Sequence, residues 1–310
     1  MSMSERVARL RQQSLEARAS ISTQRAELVT AFYRQAHGLV SKPVERALVF
    51  QYILEHEDIV IGGGELIVGE KSRAPKAAPT YPELCCHSLA DLDLLNGREK
   101  IPFAVSAAAR QVYAEEIIPF WQGRSMREAI FAEMTEAWME SYAAGIFTEF
   151  MEQRAPGHTV LDGKIYGKGM LDFAAEIEAR LQSLDYLNDP QALAREEELK
   201  AMAICARALV SYAGRYAALA RQLAQDEADP ARRCELEQIA AVCEWVPAHA
   251  PRTLWEALQY YWFVHLGVTK ELNTWDSFSP GRLDQHLLPF YERGLAEGSL
   301  TRAQAEELLQ

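Results

Sequence analysis

The sequence predicts a mainly α-helical protein with a few short strands. Three observations carry that expectation. Apolar residues recur at three- and four-residue spacing through most of the chain, the mark of one buried stripe per helix. Helix starts are signalled chemically, most clearly at Asp229-Pro230, where an N-cap residue precedes a proline at the first helical position. One stretch, Leu66-Ile67-Val68 after the turn at Gly62-Gly63-Gly64, is short and β-branched enough for a strand.

The elements follow in order. Ser4 to Ala19 and Ser22 to Gln35 carry helical patterns, the second opened by Ser22 and closed before His37-Gly38. Pro43 sits in the first turn of a third helix that runs through Ala47, Phe50 and Ile53 to His56. The glycine run lacks both the G-x-G-x-x-G pattern and the Walker lysine, so it predicts a turn and no phosphate cradle. From Ala74 to Asn96 the chain is proline-rich and reads as irregular. Helical patterns resume at Ser106 to Ile117, Ser125 to Ala144, Tyr166 to Leu184, Asp189 to Gln225 and Asp229 to Cys243. Thr253 to Leu266 is the most apolar helix, and its Trp255, Tyr260, Tyr261, Trp262 and Phe263 read as core instead of a cofactor box. Arg282 to Arg293 and Thr301 to Leu309 complete the set, the last ending on Leu308-Leu309-Gln310 without a C-cap, as a cut through a longer protein would.

Bulk properties exclude several classes. With 310 residues, 49% of them hydrophobic, the chain can bury a substantial core. A net charge of −12, with Lys and Arg scattered among acids, argues against binding nucleic acid or anionic lipid. No apolar run approaches the roughly 20 residues that cross a bilayer, and Met1 to Arg11 is too polar for a signal peptide. A cytoplasmic protein is expected. The five cysteines fit free thiols in a reducing compartment. None has zinc-site spacing, and His87 after Cys85-Cys86 has no second histidine nearby, so no metal is expected.

Two polar inserts interrupt the helical patterns: Phe150 to Thr159 and Asn273 to Arg282. Each has Pro-Gly punctuation and an ionisable group beside aromatic bulk, a setting that grips a small polar substrate. His158 follows Pro156-Gly157 on a stiff elbow. It reads equally as an acid for a leaving oxygen or as a loop histidine bonded to a backbone carbonyl. Asp276, between Trp275 and Ser277-Phe278, needs a cation: either Arg282 or a cationic ligand. Phe150 and Trp275 are substrate walls in the first reading and core in the second. Arg154 and Arg282 either bind a carboxylate or brace their loops.

At these inserts the chain resembles the glycyl radical enzymes of the pyruvate formate-lyase-like group. The resemblance covers nearly its whole length: Glu65 to Glu70, Ala78 to Glu83, Glu116 to Trp121, Phe147 to Thr159, Val246 to His249 and Ser279 to Gln285. Phe147 to Thr159 and Trp275-Asp276 resemble the hydroxyproline-type pocket. The resemblance implies a ten-stranded α/β barrel wrapped by helices, of which residues 1–310 are the N-terminal portion, with some apolar barrel-facing surface uncovered. It implies elimination of water from trans-4-hydroxy-L-proline to give pyrroline-5-carboxylate. His158 would assist departure of the hydroxyl, Asp276 would hold the ring ammonium, and Phe150 would form an apolar wall.

The family's thiyl cysteine stands in a Gly-Cys-Val-Glu context and its radical glycine in Arg-Val-x-Gly-Tyr. Neither motif occurs here; Arg6-Val7 is followed by Ala8-Arg9. The resemblance therefore implies a chain truncated before both, inactive by itself, with no cofactor bound in this segment. The glycyl radical would lie in the C-terminal part, installed by an S-adenosylmethionine iron-sulfur activating enzyme, and the whole enzyme would be a homodimer. Two alternatives stand beside this reading: another substrate in the same family (isethionate, a diol, or formate C-acetyltransferase-like chemistry), and a non-catalytic helical scaffold.

Overall fold

A computed structural model describes residues 3–36, 38–147, 161–271 and 280–310. In chain order these form α1 (Glu5–Glu16), β1 (Ser20–Ser22), α2 (Gln24–Ala36), α3 (Lys42–His56), β2 (Ala77–Pro79) and α4 (Leu89–Gly97). Then come α5 (Ala107–Val112), a π-turn (Tyr113–Ile117), α6 (Ile118–Trp121), α7 (Met126–Ala132) and α8 (Glu136–Ala143). A 3-10 turn (Asp162–Tyr166) leads into α9 (Met170–Gln182), α10 (Ala192–Asp226), α11 (Pro230–Trp245), α12 (Leu254–Glu271), α13 (Leu283–Glu297) and α14 (Arg302–Leu309).

The spine is α10. Its 35 residues span about 50 Å at 1.5 Å per residue. Alanine dominates its buried face, at Ala206, Ala213, Ala217 and Ala220 among others, which favours the helix and lets neighbours approach closely. α3, α9 and α11 pack along it. Phe50, Leu54, Leu209, Tyr212, Tyr216, Ile239 and Phe263 form the main core, with Tyr212 and Tyr216 edge-to-face at 5.2 Å. Arg215 of α10 donates to the carbonyls of Leu54 (2.5 Å) and Glu57 (2.6 Å), satisfying the otherwise unpaired end of α3.

A second core joins α2, α3 and the π-turn through Val29, Ile53, Tyr113, Ile117 and Trp121. Trp121 Nε1 donates to Thr30 Oγ1 at 2.8 Å, so the buried indole is satisfied. The N- and C-terminal helices are tied together: Arg6 pairs with Glu235 of α11 and with Glu307 of α14 at 3.3 Å. Gly169 is needed ahead of α9 because an added Cβ would stand 2.1 Å from the Ala248 carbonyl oxygen. That close approach lets the 247–248 carbonyls accept from Met170 N (2.7 Å) and Leu171 N (3.1 Å).

The mainly helical expectation holds, and the helix at Asp229-Pro230 starts as read, its carboxylate accepting from Ala231 N at 3.0 Å. The strands lie elsewhere than expected. β1 and β2 pair in parallel, Ser20 with Ala77 and Ser22 with Pro79, so one strand follows the first helix and the other falls inside the stretch read as irregular. That stretch also holds α4, started by a capping box between Ser88 and Asp91. The pattern from Ser125 to Ala144 splits into α7 and α8 because Thr135 caps a fresh start, accepting from Trp138 N.

Leu66-Ile67-Val68 is not a strand. Its backbone is nonetheless bonded as a strand's would be, by side chains of α12. Gln259 accepts from Val68 N at 2.8 Å and donates to Val68 O at 2.7 Å. Trp255 Nε1 donates to Leu66 O at 3.0 Å and Trp262 Nε1 to Gly69 O at 2.8 Å. The β-like composition is real; the partner is a helix face. The aromatic stripe of α12 is accordingly core on one side and a hydrogen-bonding rail on the other.

Candidate active site

Phe150 and His158 fall in 148–160, and Trp275 and Asp276 in 272–279; all lie outside the described residues. One described flank of each segment reaches a common cavity. Leu161, which follows the first segment, and Glu271, which precedes the second, both line one cavity of about 910 Å³ between α3, α9, α10 and α12. Its wall is apolar, with Phe50, Leu209 and Val264, and its rim carries Arg46, Glu176 and Arg180. An apolar hollow with charge at its mouth suits a small polar ligand.

The chain after the first segment is strained. Leu161 and Asp162 both adopt left-handed backbone, with φ of +56° and +47°. Such torsions cost on the order of 1–3 kcal/mol each in non-glycine residues and persist only where the surroundings dictate them. Those surroundings come from α13, which follows the second segment. Asp162 Oδ1 lies 2.9 Å from His286 Nε2. The imidazole stacks on Tyr166, with ring centroids 5.2 Å apart and planes 24° apart. Gly163 completes the fit, since a Cβ there would come within 3.1 Å of the His286 ring. Residues 124 positions apart in sequence thus join in one clasp, each just after its insert.

The approach to the second segment is held by buried charge. Arg25 of α2 donates from Nε to Lys270 O at 2.6 Å, and Tyr81 donates its hydroxyl hydrogen to Thr269 O at 2.6 Å. Two carbonyls of the last turn of α12 are thereby capped by side chains in place of water. Arg25 also pairs with Glu83 and lies 3.8 Å over the Tyr81 ring. Lys270, only 1% exposed, donates to Glu57 at 2.7 Å and to Lys71 O at 3.2 Å. Burial pushes its ammonium below the usual lysine range, against the pull of Glu57. Glu271 pairs with Arg46 at the cavity rim.

Sequence reasoning missed Arg25, Glu57, Lys270, Asp162 and His286. Asp162-Gly163, separated from the first insert by two residues, was the available signal for a tight turn there. Among the described residues no group of three or more His, Cys, Asp or Glu could hold a metal ion. Burial pushes the Cys205 thiol, at the cavity, up to about 11 and Cys86 up to about 12, so neither supplies a thiolate near neutral pH.

The model of the pyruvate formate lyase-like family matches residues 2–310. The chain belongs to that family. It is 52% identical over 306 residues to trans-4-hydroxy-L-proline dehydratase of Clostridioides difficile, covering 99% of this chain and 39% of that protein. It is 32% identical to isethionate sulfite-lyase of Nitratidesulfovibrio vulgaris, covering 94% of this chain and 36% of the relative. The crystal structure of the C. difficile hydroxyproline dehydratase with trans-4-hydroxy-L-proline bound superposes with a TM-score of 0.96, again over 99% of this chain and 39% of that one. A Roseburia inulinivorans structure described for 1,2-propanediol dehydration gives a TM-score of 0.92 at 30% identity, over 99% of this chain and 37% of that one. The chain therefore spans about two-fifths of the length of these family members. Among the described residues no helix is long and apolar enough to cross a membrane.

Proposed function

We propose that this chain is the N-terminal part of a radical dehydratase that eliminates water from trans-4-hydroxy-L-proline, giving pyrroline-5-carboxylate. Its likeness to a trans-4-hydroxy-L-proline dehydratase, at 52% identity over 99% of the chain, supports the substrate. The observation that carries the reading is the convergence of the two inserts' flanks, Leu161 and Glu271, on one apolar cavity. In this reading that hollow is where His158 and Asp276 meet one ligand.

In this reading Asp276 accepts from the ring ammonium and fixes the amino acid's orientation. Phe150 and Trp275 exclude water, which strengthens that charge pairing. His158 gives a proton to the C4 hydroxyl as the carbon–oxygen bond breaks, so the group leaves as water instead of hydroxide. Radical chemistry, removal of a hydrogen atom from the carbon beside the nitrogen, would be supplied by parts of the enzyme beyond this chain. None of the five cysteines here stands in the Gly-Cys-Val-Glu setting that such a step needs. The same reading makes the working protein a cytoplasmic homodimer built on the ten-stranded barrel, charged by an S-adenosylmethionine iron-sulfur activating enzyme.

The test uses the full-length protein, activated under anoxia. His158→Ala and Asp276→Asn should each lower hydroxyproline dehydration by at least about a hundredfold. Parent rates in either variant would remove that residue from the mechanism. Turnover of isethionate or a diol in place of hydroxyproline would replace the substrate and keep the family.

A further inference from the structure

We propose that Asp162 and His286 form a positioning pair for the substrate pocket, resting on the reading that the pocket lies at the cavity shared by Leu161 and Glu271. Four observations converge on the pair. The carboxylate meets Nε2 at 2.9 Å across a sequence separation of 124 residues. The residue that supplies it, like Leu161 before it, adopts left-handed backbone, a conformation that is costly at Leu161 and that an outside contact helps to hold. Glycine follows at 163, where any side chain would press on the imidazole. Tyr166 stacks on the imidazole's face and so fixes its plane.

The location is informative. Leu161 is both a cavity-lining residue and the neighbour of Asp162. A contact that pins Asp162 therefore sets where the cavity wall begins. The contact is poorly placed to add much stability, because the Asp162 carboxylate is 65% exposed, against 20% for the His286 side chain, and a water-accessible carboxylate gives up little on losing one partner. A strained turn held through an exposed carboxylate is wasteful as a brace and useful as a locator.

The prediction is a loss of affinity without loss of fold. Calorimetric titration of the unactivated full-length protein with trans-4-hydroxy-L-proline, isethionate and 1,2-propanediol identifies which ligand the parent binds. His286→Leu and Asp162→Ala should each weaken that ligand about tenfold, and the double variant should be no weaker than either single one. His286→Gln, which keeps a donor near the Nε2 position, and Asp162→Asn, which keeps an acceptor, should restore most of the affinity. The melting temperature should stay within a few degrees of the parent in Asp162→Ala, whose exposed site protects folding should His286→Leu not fold. Parent-like affinity in Asp162→Ala, or a His286→Gln variant as weak as His286→Leu, overturns the pair. A parent that binds isethionate or the diol instead overturns the hydroxyproline reading and leaves the pair measured on that ligand. A parent that binds none of the three overturns both.

Discussion

The two approaches to the inserts are built from opposite materials. Before 272–279, the last turn of α12 is locked by Arg25, Tyr81, Lys270 and Glu57, groups that are all nine-tenths buried or more. After 148–160, the chain is held by Asp162 against His286 at an open surface. Both arrangements fix a backbone. The buried one is bound into the stability of the whole molecule, because a charge stripped of water cannot lose its partner cheaply. The open one can change with little effect on folding, so its influence is confined to geometry.

Substitutions can break this contrast, and the largest effect is expected at Lys270. Lys270→Met leaves Glu57 buried without its cation and should lower unfolding free energy by about 3–5 kcal/mol in urea titration. Pairing it with Glu57→Leu should recover most of that loss. A double variant as unstable as the single one would mean that packing, not charge, secures this end of α12. Next comes Arg25→Met, which strips Glu83 and the Lys270 and Thr80 carbonyls of a donor; about 2–4 kcal/mol is expected in the same assay. Asp162→Ala sharpens the comparison from the other side, with a stability change of no more than about 1 kcal/mol.

The smallest effect concerns acidity near the buried approach. His265, stacked on Trp262 at 5.2 Å, has its pKa lowered by burial and by the neighbouring charge of Lys71. The unfolded chain takes up a proton on this histidine below about pH 6.5, while the fold resists doing so. The contribution is thus absent as a penalty above that pH and erodes stability as pH falls toward the lowered value. His265→Gln should flatten the acid side of the melting-temperature profile relative to the parent. An unchanged profile would remove His265 as a source of acid lability.

Much of the helical order was legible because its signals are local. Asp229-Pro230 starts α11, and the apolar spacing around Phe50 and Ile53 marks α3. What escaped depended on partners far along the chain. Ser20–Ser22 is a strand only because Ala77–Pro79 lies beside it, and Leu66–Val68 is not one only because α12 occupies its edge. Arg25 and Lys270 sit in amphipathic patterns identical to those of solvated charges, and nothing local distinguishes the inward-facing ones. The inserts themselves were visible as breaks in periodicity, and their residues left a catalytic and a structural role open for His158 and Asp276; the choice between them came from resemblance to a family. Their side chains fall outside the described residues, whereas the convergence of their flanks was not readable from sequence at all.

The bidentate grip of Gln259 on Val68 has a consequence for phase. A helix turns by about 100° for each residue, so a slip of one position between α12 and the 66–69 backbone would swing the helix's far end by that angle. A carboxamide that must meet one N–H and one C=O of the same residue tolerates no such slip. Gln259 therefore acts as the key on a shaft, fixing the rotational setting of α12 twelve residues before its end at Glu271.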